Sequence, residues 1–469
     1  MATNRREFVR LLSGAASLQL TQTSTCNLAV ESRRPIPSQQ ARSPIAAVRE
    51  DFPALRQRVN DSSLVYLDSA ATALRPRAVI VATSNFYEHD NANPSPSLHT
   101  LARRSADRYD SARLTVARFI HARSPDEIIF TRGTTEAVNL AATSWSSSNL
   151  HAGDEILLTK AEHYSNLLPW KFAAERAGAI LRFLDVDNEG NLYLGQLTSL
   201  LSRRTKIVAF SHVSNVLGRI NPAAEICARA HQVGAAVLID AAQSAPHIPL
   251  DVQELGCDFL AFSGHKIMGP MGIGVLWARA ELLDVLPPYQ LGSNMAHEWE
   301  SVGERVPLAP RAHKFEAGTP NVVGAIGLAA AIDYIESLGR AELWKREQEL
   351  TAYALQRLLQ IPGLRILGPT QPGNRVSVFS FVLKNVRPTE IARQLDQRGV
   401  AIRAGDLAAL PLLRRMEVTA AARASCYVYT DRPDIDALAA ALADLTSRRA
   451  STPSADKMFL AMSRRHATA

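Results

Sequence analysis

Five short apolar runs punctuate the middle of the chain: Ile128-Ile129-Phe130, Ile156-Leu157-Leu158, Ile207-Val208-Ala209-Phe210, Ala236-Val237-Leu238-Ile239 and Phe259-Leu260-Ala261-Phe262. Each ends in polar or glycine-rich residues and gives way to helical spacing. Continuous apolar runs of this length suit strands buried on both faces, so the pattern predicts an α/β fold with a mainly parallel sheet covered by helices. Farther on the texture changes. A helical pattern over 347–359 precedes Val376-Ser377-Val378-Phe379-Ser380-Phe381, whose alternation predicts a half-exposed strand, and a final helix is expected over 435–445. This stretch reads as a smaller α+β domain.

Length and composition narrow the class. With 469 residues, 46% hydrophobic and 21% charged, the chain suits a two-domain globular protein, not a disordered, collagen-like or multi-span membrane one. The formal net charge is +7, but seven Arg against two Glu in residues 1–49 give +5, and five basic residues against one Asp in 448–469 give +4. Residues 50–447 therefore carry −2, and the basic balance is no argument for nucleic-acid binding. The four cysteines (26, 227, 257 and 426) show neither CxxC nor metal-ligand spacing, so no metal site and no disulfide framework is expected. No run of about 18 apolar residues is present, so no membrane span is expected.

Asn4-Arg5-Arg6-Glu7-Phe8-Val9-Arg10, followed by Leu11-Leu12-Ser13-Gly14-Ala15-Ala16, resembles a twin-arginine export signal. It implies a periplasmic or exported protein; without it, a cytoplasmic one. The expected organisation is thus a signal and linker over 1–48, a large domain over 49–340, a small domain over 341–447 and a basic tail over 448–469.

Ligands in open α/β sheets bind beyond the carboxyl ends of the strands, so the residues after each apolar run carry the candidate chemistry. The first run leads to Arg132-Gly133-Thr134-Thr135-Glu136, where glycine and hydroxyl residues at a helix start form a phosphate cradle or simply a cap. The second leads to His163 and the third to Asn215. The fourth ends at Asp240, with Gln243 three residues on; a buried acid there needs a charged partner. The fifth leads to Ser263-Gly264-His265-Lys266, then Gly269-Pro270-Met271-Gly272-Ile273-Gly274, which makes Lys266 a candidate Schiff-base former. A lysine, an acid, an imidazole and a phosphate cradle on one sheet edge are the set that pyridoxal phosphate needs.

From about Asp51 to about Leu445 the chain resembles the class V aminotransferase family of fold-type I pyridoxal phosphate enzymes, and within it the SufS/CsdA-type cysteine desulfurases and selenocysteine lyases. The likeness rests on Tyr66-Leu67-Asp68-Ser69-Ala70-Ala71, the Arg-Gly-Thr-Thr-Glu segment, His212-Val213-Ser214-Asn215-Val216-Leu217-Gly218, Asp240-Ala241-Ala242-Gln243, Ser263-Gly264-His265-Lys266 and Phe315-Glu316-Ala317-Gly318-Thr319-Pro320-Asn321. It implies a seven-stranded-type sheet in the large domain, whose N-terminal segment joins the small domain. It assigns Lys266 to the cofactor aldehyde and to proton shuttling, Asp240 to the pyridine nitrogen, Gln243 to the phenolic oxygen and His163 to stacking on the ring, with Lys266 and His163 as the catalytic residues. Thr134, Thr135, Ser263 and His265 would hold the phosphate, with Thr319 supplied by the other subunit of a homodimer. Arg423 would clamp the carboxylate of an amino-acid substrate, with Arg403, Asn215 and the Ala70-Ala71 backbone on the same side.

The chain departs from this pattern in two substrate-side loops. Where the desulfurases carry Arg-Thr-Gly-His-His-Cys, it reads Arg403-Ala404-Gly405-Asp406-Leu407-Ala408, with alanine at the nucleophile position. Where the family usually has a run of glycines it reads Gln290-Leu291-Gly292-Ser293-Asn294. Cys426 is the only cysteine near the expected site; Cys227 and Cys257 read as core residues. Three functions stay open: cleavage of a C–S or C–Se bond without a protein persulfide, epimerisation or transamination of another amino acid or peptide by an exported enzyme, and a silent pyridoxal phosphate-binding relative.

Overall fold

A computed structural model describes residues 48–94, 98–296, 303 and 306–450. The twin-arginine-like segment, the linker with Cys26 and the tail beyond residue 450 lie outside the described residues.

Seven strands form the large sheet: β1 (Ile128–Thr131), β2 (Glu155–Thr159), β3 (Ile180–Leu184), β4 (Thr205–Ser211), β5 (Ala236–Asp240), β6 (Phe259–Ser263) and β7 (Gly274–Ala278). Their order is β1-β7-β6-β5-β4-β2-β3, all parallel except β7, which runs antiparallel to both neighbours. The five apolar runs are the strands expected of them. β3 and β7 escaped the pattern for opposite reasons. β3 is an edge strand with only Leu184 buried, whereas β7 is wholly buried but opens on a glycine stretch that reads as loop.

Helices cover both faces, as the unbroken apolar runs require. On one face Ile129, Ile156, Leu158, Ala209 and Leu238 pack with Val138, Trp145 and Trp170 of the helices Thr134–Asn149 and Tyr164–Ala177. On the other, Phe130, Val208, Phe210, Val237 and Phe262 pack with Val116 and Phe119 of Thr100–Phe119 and with Leu328 and Ile332 of Val322–Leu338. Among the described residues no single helix is long and apolar enough to cross a membrane.

A four-stranded antiparallel sheet holds β8 (Leu364–Ile366), β9 (Val378–Leu383), β10 (Arg403–Gly405) and β11 (Ala421–Ser425) in the order β8-β9-β11-β10. Its core joins Phe379, Phe381, Ala422 and Ala424 to the helices Arg340–Leu359, Pro388–Asp396 and Arg432–Ala450. The alternation over 376–381 was expected to mark a half-exposed strand, and this is corrected: residues 376–381 are all buried. Phe379 and Phe381 face the small core, while Val376 and Val378 meet Val213 and Ala70 of the large sheet's side. The serines face protein and not water. Ser380 Oγ donates to Val216 O at 2.6 Å, and Ser377 Oγ lies 2.6 Å from Thr351 Oγ1. Near the start of the described chain, Val65-Tyr66 pairs in parallel with Val400-Ala401, and Asp68 then bridges Ser425 at the end of β11.

Candidate active site

The carboxyl ends of β1, β2, β4, β5 and β6 open into one cavity of about 440 Å³. The second sheet closes it from above through β10, the loop that follows and β11. Of the residues singled out from the sequence, Ala70, Ala71, Thr134, Thr135, His163, Asn215, Asp240, Gln243, Ser263, His265, Lys266, Arg403 and Arg423 all line it. Thr319 does not. It stands in a separate cleft with Arg132, Tyr289 and Asn321.

At one end of the cavity the helix Thr134–Asn149 starts from Gly133, leaving its first amides without partners inside the helix. Ser263 Oγ, at the end of β6, accepts from the Thr134 amide at 2.8 Å and lies 2.7 Å from Thr134 Oγ1, while Thr135 Oγ1 sits 2.7 Å from Ser165 Oγ. Amides, hydroxyls and the positive end of a helix dipole thus converge where an anion is well held. The close approach depends on Gly274 of β7: a Cβ there would lie 2.4 Å from Gly133 Cα. Gly274→Ala should therefore cost roughly 1–3 kcal/mol in denaturant unfolding, because backbone has to move to admit the methyl group. An unfolding midpoint equal to that of the unsubstituted protein would contradict this packing.

Deeper in, Asp240 is buried and accepts from the Ala242 amide at 2.9 Å. Burial pushes its carboxyl upward, while that amide and the Lys266 ammonium pull it down. Lys266 follows β6 on a single 3-10 turn, Gly264–Lys266. Burial lowers its ammonium to about 8 against the attraction of Asp240, with Arg423 and Arg403 adding to the lowering. An amine near 8 is a usable base and nucleophile at neutral pH, which an ordinary lysine is not.

His163 caps the helix Tyr164–Ala177, its Nδ1 accepting from the Ser165 amide at 3.0 Å. That bond leaves Nδ1 unprotonated and puts the ring proton on Nε2. Burial, then Lys266 and Arg423, lowers the imidazole to about 4, so the ring stays neutral and offers a flat, uncharged face. Gln243 Nε2 donates to Ala70 O at 2.8 Å, and its buried Oε1 has no partner among the described residues.

On the opposite wall Arg423 of β11 is buried; its Nη1 donates to Asn215 O at 2.9 Å and its Nε has no partner among the described residues. Burial lowers its guanidinium to about 10, which leaves it charged at neutral pH. Arg403 pairs with Asp68 at 2.9 Å, and the same carboxylate reaches Arg423 at 3.5 Å. Asp68 thus holds two arginines in place. In the sequence it stands out only as part of the motif over 66–71, since nothing local says that an acid at a strand end will face two cations more than 300 residues away.

Glu162 was also missed. It is buried between β2 and β4, accepting from Asn166 Nδ2 at 2.7 Å, Ser211 Oγ at 2.7 Å and Thr159 Oγ1, and burial raises it to about 7. Its place beside His163 in the sequence was a usable signal.

The loop after β10 is fixed tightly. Leu407 and Ala408 both have left-handed backbone (φ 51° and 53°). Leu407 O accepts from Asn215 Nδ2 at 2.9 Å, Ala408 O from the Tyr164 amide at 2.8 Å, and Asp406 Oδ1 from the Ala408 amide at 3.1 Å. Cys227, Cys257 and Cys426 are buried away from this cavity, and burial raises each thiol, to about 12 for Cys227 and well above the usual range for the others. Cys426, the one candidate near the expected site, lines instead a separate small pocket with His247 and Tyr427.

The donor set suits pyridoxal phosphate: a lowered lysine, a buried acid, a neutral imidazole, an anion cradle and a glutamine amide with one end unsatisfied. Comparison with known proteins agrees. The profile of the Aminotransferase class-V family matches residues 65–438. A probable cysteine desulfurase of Halalkalibacterium halodurans is 48% identical over 84% of this chain and 96% of its own, and one of Synechocystis sp. is 47% identical over 83% and 93%. Among solved structures, the cysteine desulfurase CsdA of Escherichia coli superposes with a TM-score of 0.77 at 38% identity, covering 86% of this chain and 98% of that one. The cysteine desulfurase of Thermococcus onnurineus gives 0.81 at 35%, covering 87% and 98%. Matched over most of its folded length, the chain is a pyridoxal phosphate-dependent enzyme of the class-V aminotransferase family, of the cysteine desulfurase type.

Proposed function

We propose that this enzyme cleaves the carbon–sulfur bond of cysteine-type amino acids, disulfides above all, and releases the sulfur on a small molecule without storing it as a persulfide on the protein. The observation that carries this reading is the cavity wall: among the described residues no cysteine lines it, whereas Ala408, which the sequence resemblance sets at the nucleophile position, does. Converting cysteine to alanine hands sulfur to a nucleophilic thiolate. Elimination from a disulfide needs no such acceptor. Cystine and water balance against pyruvate, ammonia and cysteine persulfide, with no external oxidant or reductant. A solved fold neighbour, TM-score 0.72 at 26% identity over 84% of this chain and 99% of its own, is a cystine C–S lyase captured with cysteine persulfide as its product.

Pyridoxal phosphate, when bound, supplies the electron sink that lets bonds at Cα and Cβ break heterolytically. Thr134, Thr135, Ser263 and His265 would hold its phosphate, Asp240 a proton at its ring nitrogen, Gln243 its phenolic oxygen, and His163 would cover its face. Arg423 binds the substrate carboxylate and so turns Cα toward Lys266, whose Nζ takes up the Cα proton. Lys266 near 8 sets a pH dependence of assembly. Only the neutral amine attacks an aldehyde, so uptake of pyridoxal phosphate by the apo-protein should accelerate as pH rises through about 8 and level off above it. Stopped-flow absorbance reads this directly; a rate independent of pH between 6 and 9 would contradict the assignment.

We further infer a homodimer in which Thr319, absent from its own chain's cavity, reaches the partner's, and export through the Arg5-Arg6 segment, a route that carries folded proteins with cofactor already loaded. A panel of cystine, cysteine and selenocysteine, assayed for sulfide, selenide, alanine and pyruvate, tests the lyase reading. Should none react while solvent deuterium enters Cα of another amino acid, an epimerase or transaminase takes its place. Cys426→Ala and Cys26→Ser should each keep turnover within about twofold of the unsubstituted enzyme, since neither thiol takes part. A loss beyond tenfold for either would return a cysteine to the mechanism.

A further inference from the structure

Arg403 on β10 and Asp406 in the loop that follows set opposite charges at the cavity wall, and the chemistry derived above leaves the acid unused. The Arg403 side chain is 50% exposed while paired with Asp68. Asp406 is exposed; its Oδ1 accepts from the Ala408 amide at 3.1 Å and its Oδ2 from the Tyr164 hydroxyl at 3.3 Å. Neither bond requires a charge, because an asparagine shapes the same turn. A carboxylate that lines a substrate cavity and is unnecessary to its loop points to a cation on the ligand.

We propose that Asp406 and Arg403 form a second amino-acid subsite, recognising the distal ammonium and distal carboxylate of an amino-acid disulfide whose proximal half is held by Arg423. The inference rests on the lyase reading and narrows it to substrates with a zwitterionic leaving half, such as cystine.

Three disulfides of cysteine separate the charges: cystine, the mixed disulfide with cysteamine (distal ammonium only) and the mixed disulfide with 3-mercaptopropionate (distal carboxylate only). In the holoenzyme, Asp406→Asn, which keeps the Ala408 bond on Oδ1 and lets Nδ2 donate to the Tyr164 hydroxyl oxygen, should raise KM about tenfold or more for cystine and the cysteamine disulfide, with no loss for the mercaptopropionate disulfide. Arg403→Gln should weaken cystine and the mercaptopropionate disulfide by about tenfold or more relative to the cysteamine one. Equal changes for all three substrates, or none, overturn the subsite. Calorimetric binding of cystine to Lys266→Ala holoprotein, with and without Asp406→Asn, separates the two claims. If pyruvate forms from none of the disulfides, the lyase reading fails, yet a tenfold weaker Kd in the double variant still supports the subsite. Unchanged or unmeasurable binding overturns it.

Discussion

Lys266→Ala should retain no more than about one part in 10³ of the turnover of the unsubstituted enzyme, because it removes both the amine that holds the cofactor and the base that moves the Cα proton. The placement argues for so large an effect. Lys266 is carried on a tight turn at the end of a fully buried strand, and its ammonium is brought to about 8 by burial in a cavity that also holds two arginines. Among the described residues no other lysine lines that cavity, so none of them can take over. Borohydride reduction of the unsubstituted holoenzyme followed by peptide mass spectrometry should find the phosphopyridoxyl group on position 266, and Lys266→Ala should show none. Turnover above a tenth of the original in this variant would remove Lys266 from the chemistry.

Arg423→Ala should lower kcat/KM for an amino-acid substrate by roughly 30- to several-thousand-fold, the range found when one member of a buried hydrogen-bonded charge pair is truncated. Arg423 is buried, is anchored to Asn215 O and presents an Nε with no partner among the described residues. Its guanidinium offers the planar fork that a carboxylate matches with two parallel bonds. Arg423→Lys should recover only part of the loss, since an ammonium supplies charge without the fork. The partner Asp68 keeps Arg403 in either variant, so a melting temperature close to the original is the expected control. If Arg423→Ala binds and turns over amino acids as before, the carboxylate site lies elsewhere.

Much of this site was legible because the fold turns sequence position into spatial position. A buried parallel strand announces itself as an unbroken apolar run, and the residue after it must sit at the carboxyl edge. Thr134, His163, Asn215, Asp240 and Lys266 were found that way, and one cavity gathers them. What stayed hidden depends on contacts across long stretches of chain. Asp68 meets Arg403 and Arg423 only because the segment at Val65-Tyr66 joins the edge beside Val400-Ala401. β7 was unreadable because its first residue, Gly274, is a glycine for closeness to Gly133 and not for a turn. The alternation of serine and apolar residues in 376–381 misled for a related reason. A hydroxyl that bonds a backbone carbonyl or another hydroxyl inside the protein has the same letter as one that faces water.

The most direct test of the account follows the sulfur. Holoenzyme incubated with cystine should release pyruvate and cysteine persulfide in equal amounts, while the intact protein mass, taken without reductant, stays unchanged throughout turnover. Alanine in place of pyruvate, together with a protein heavier by one sulfur atom, would contradict it.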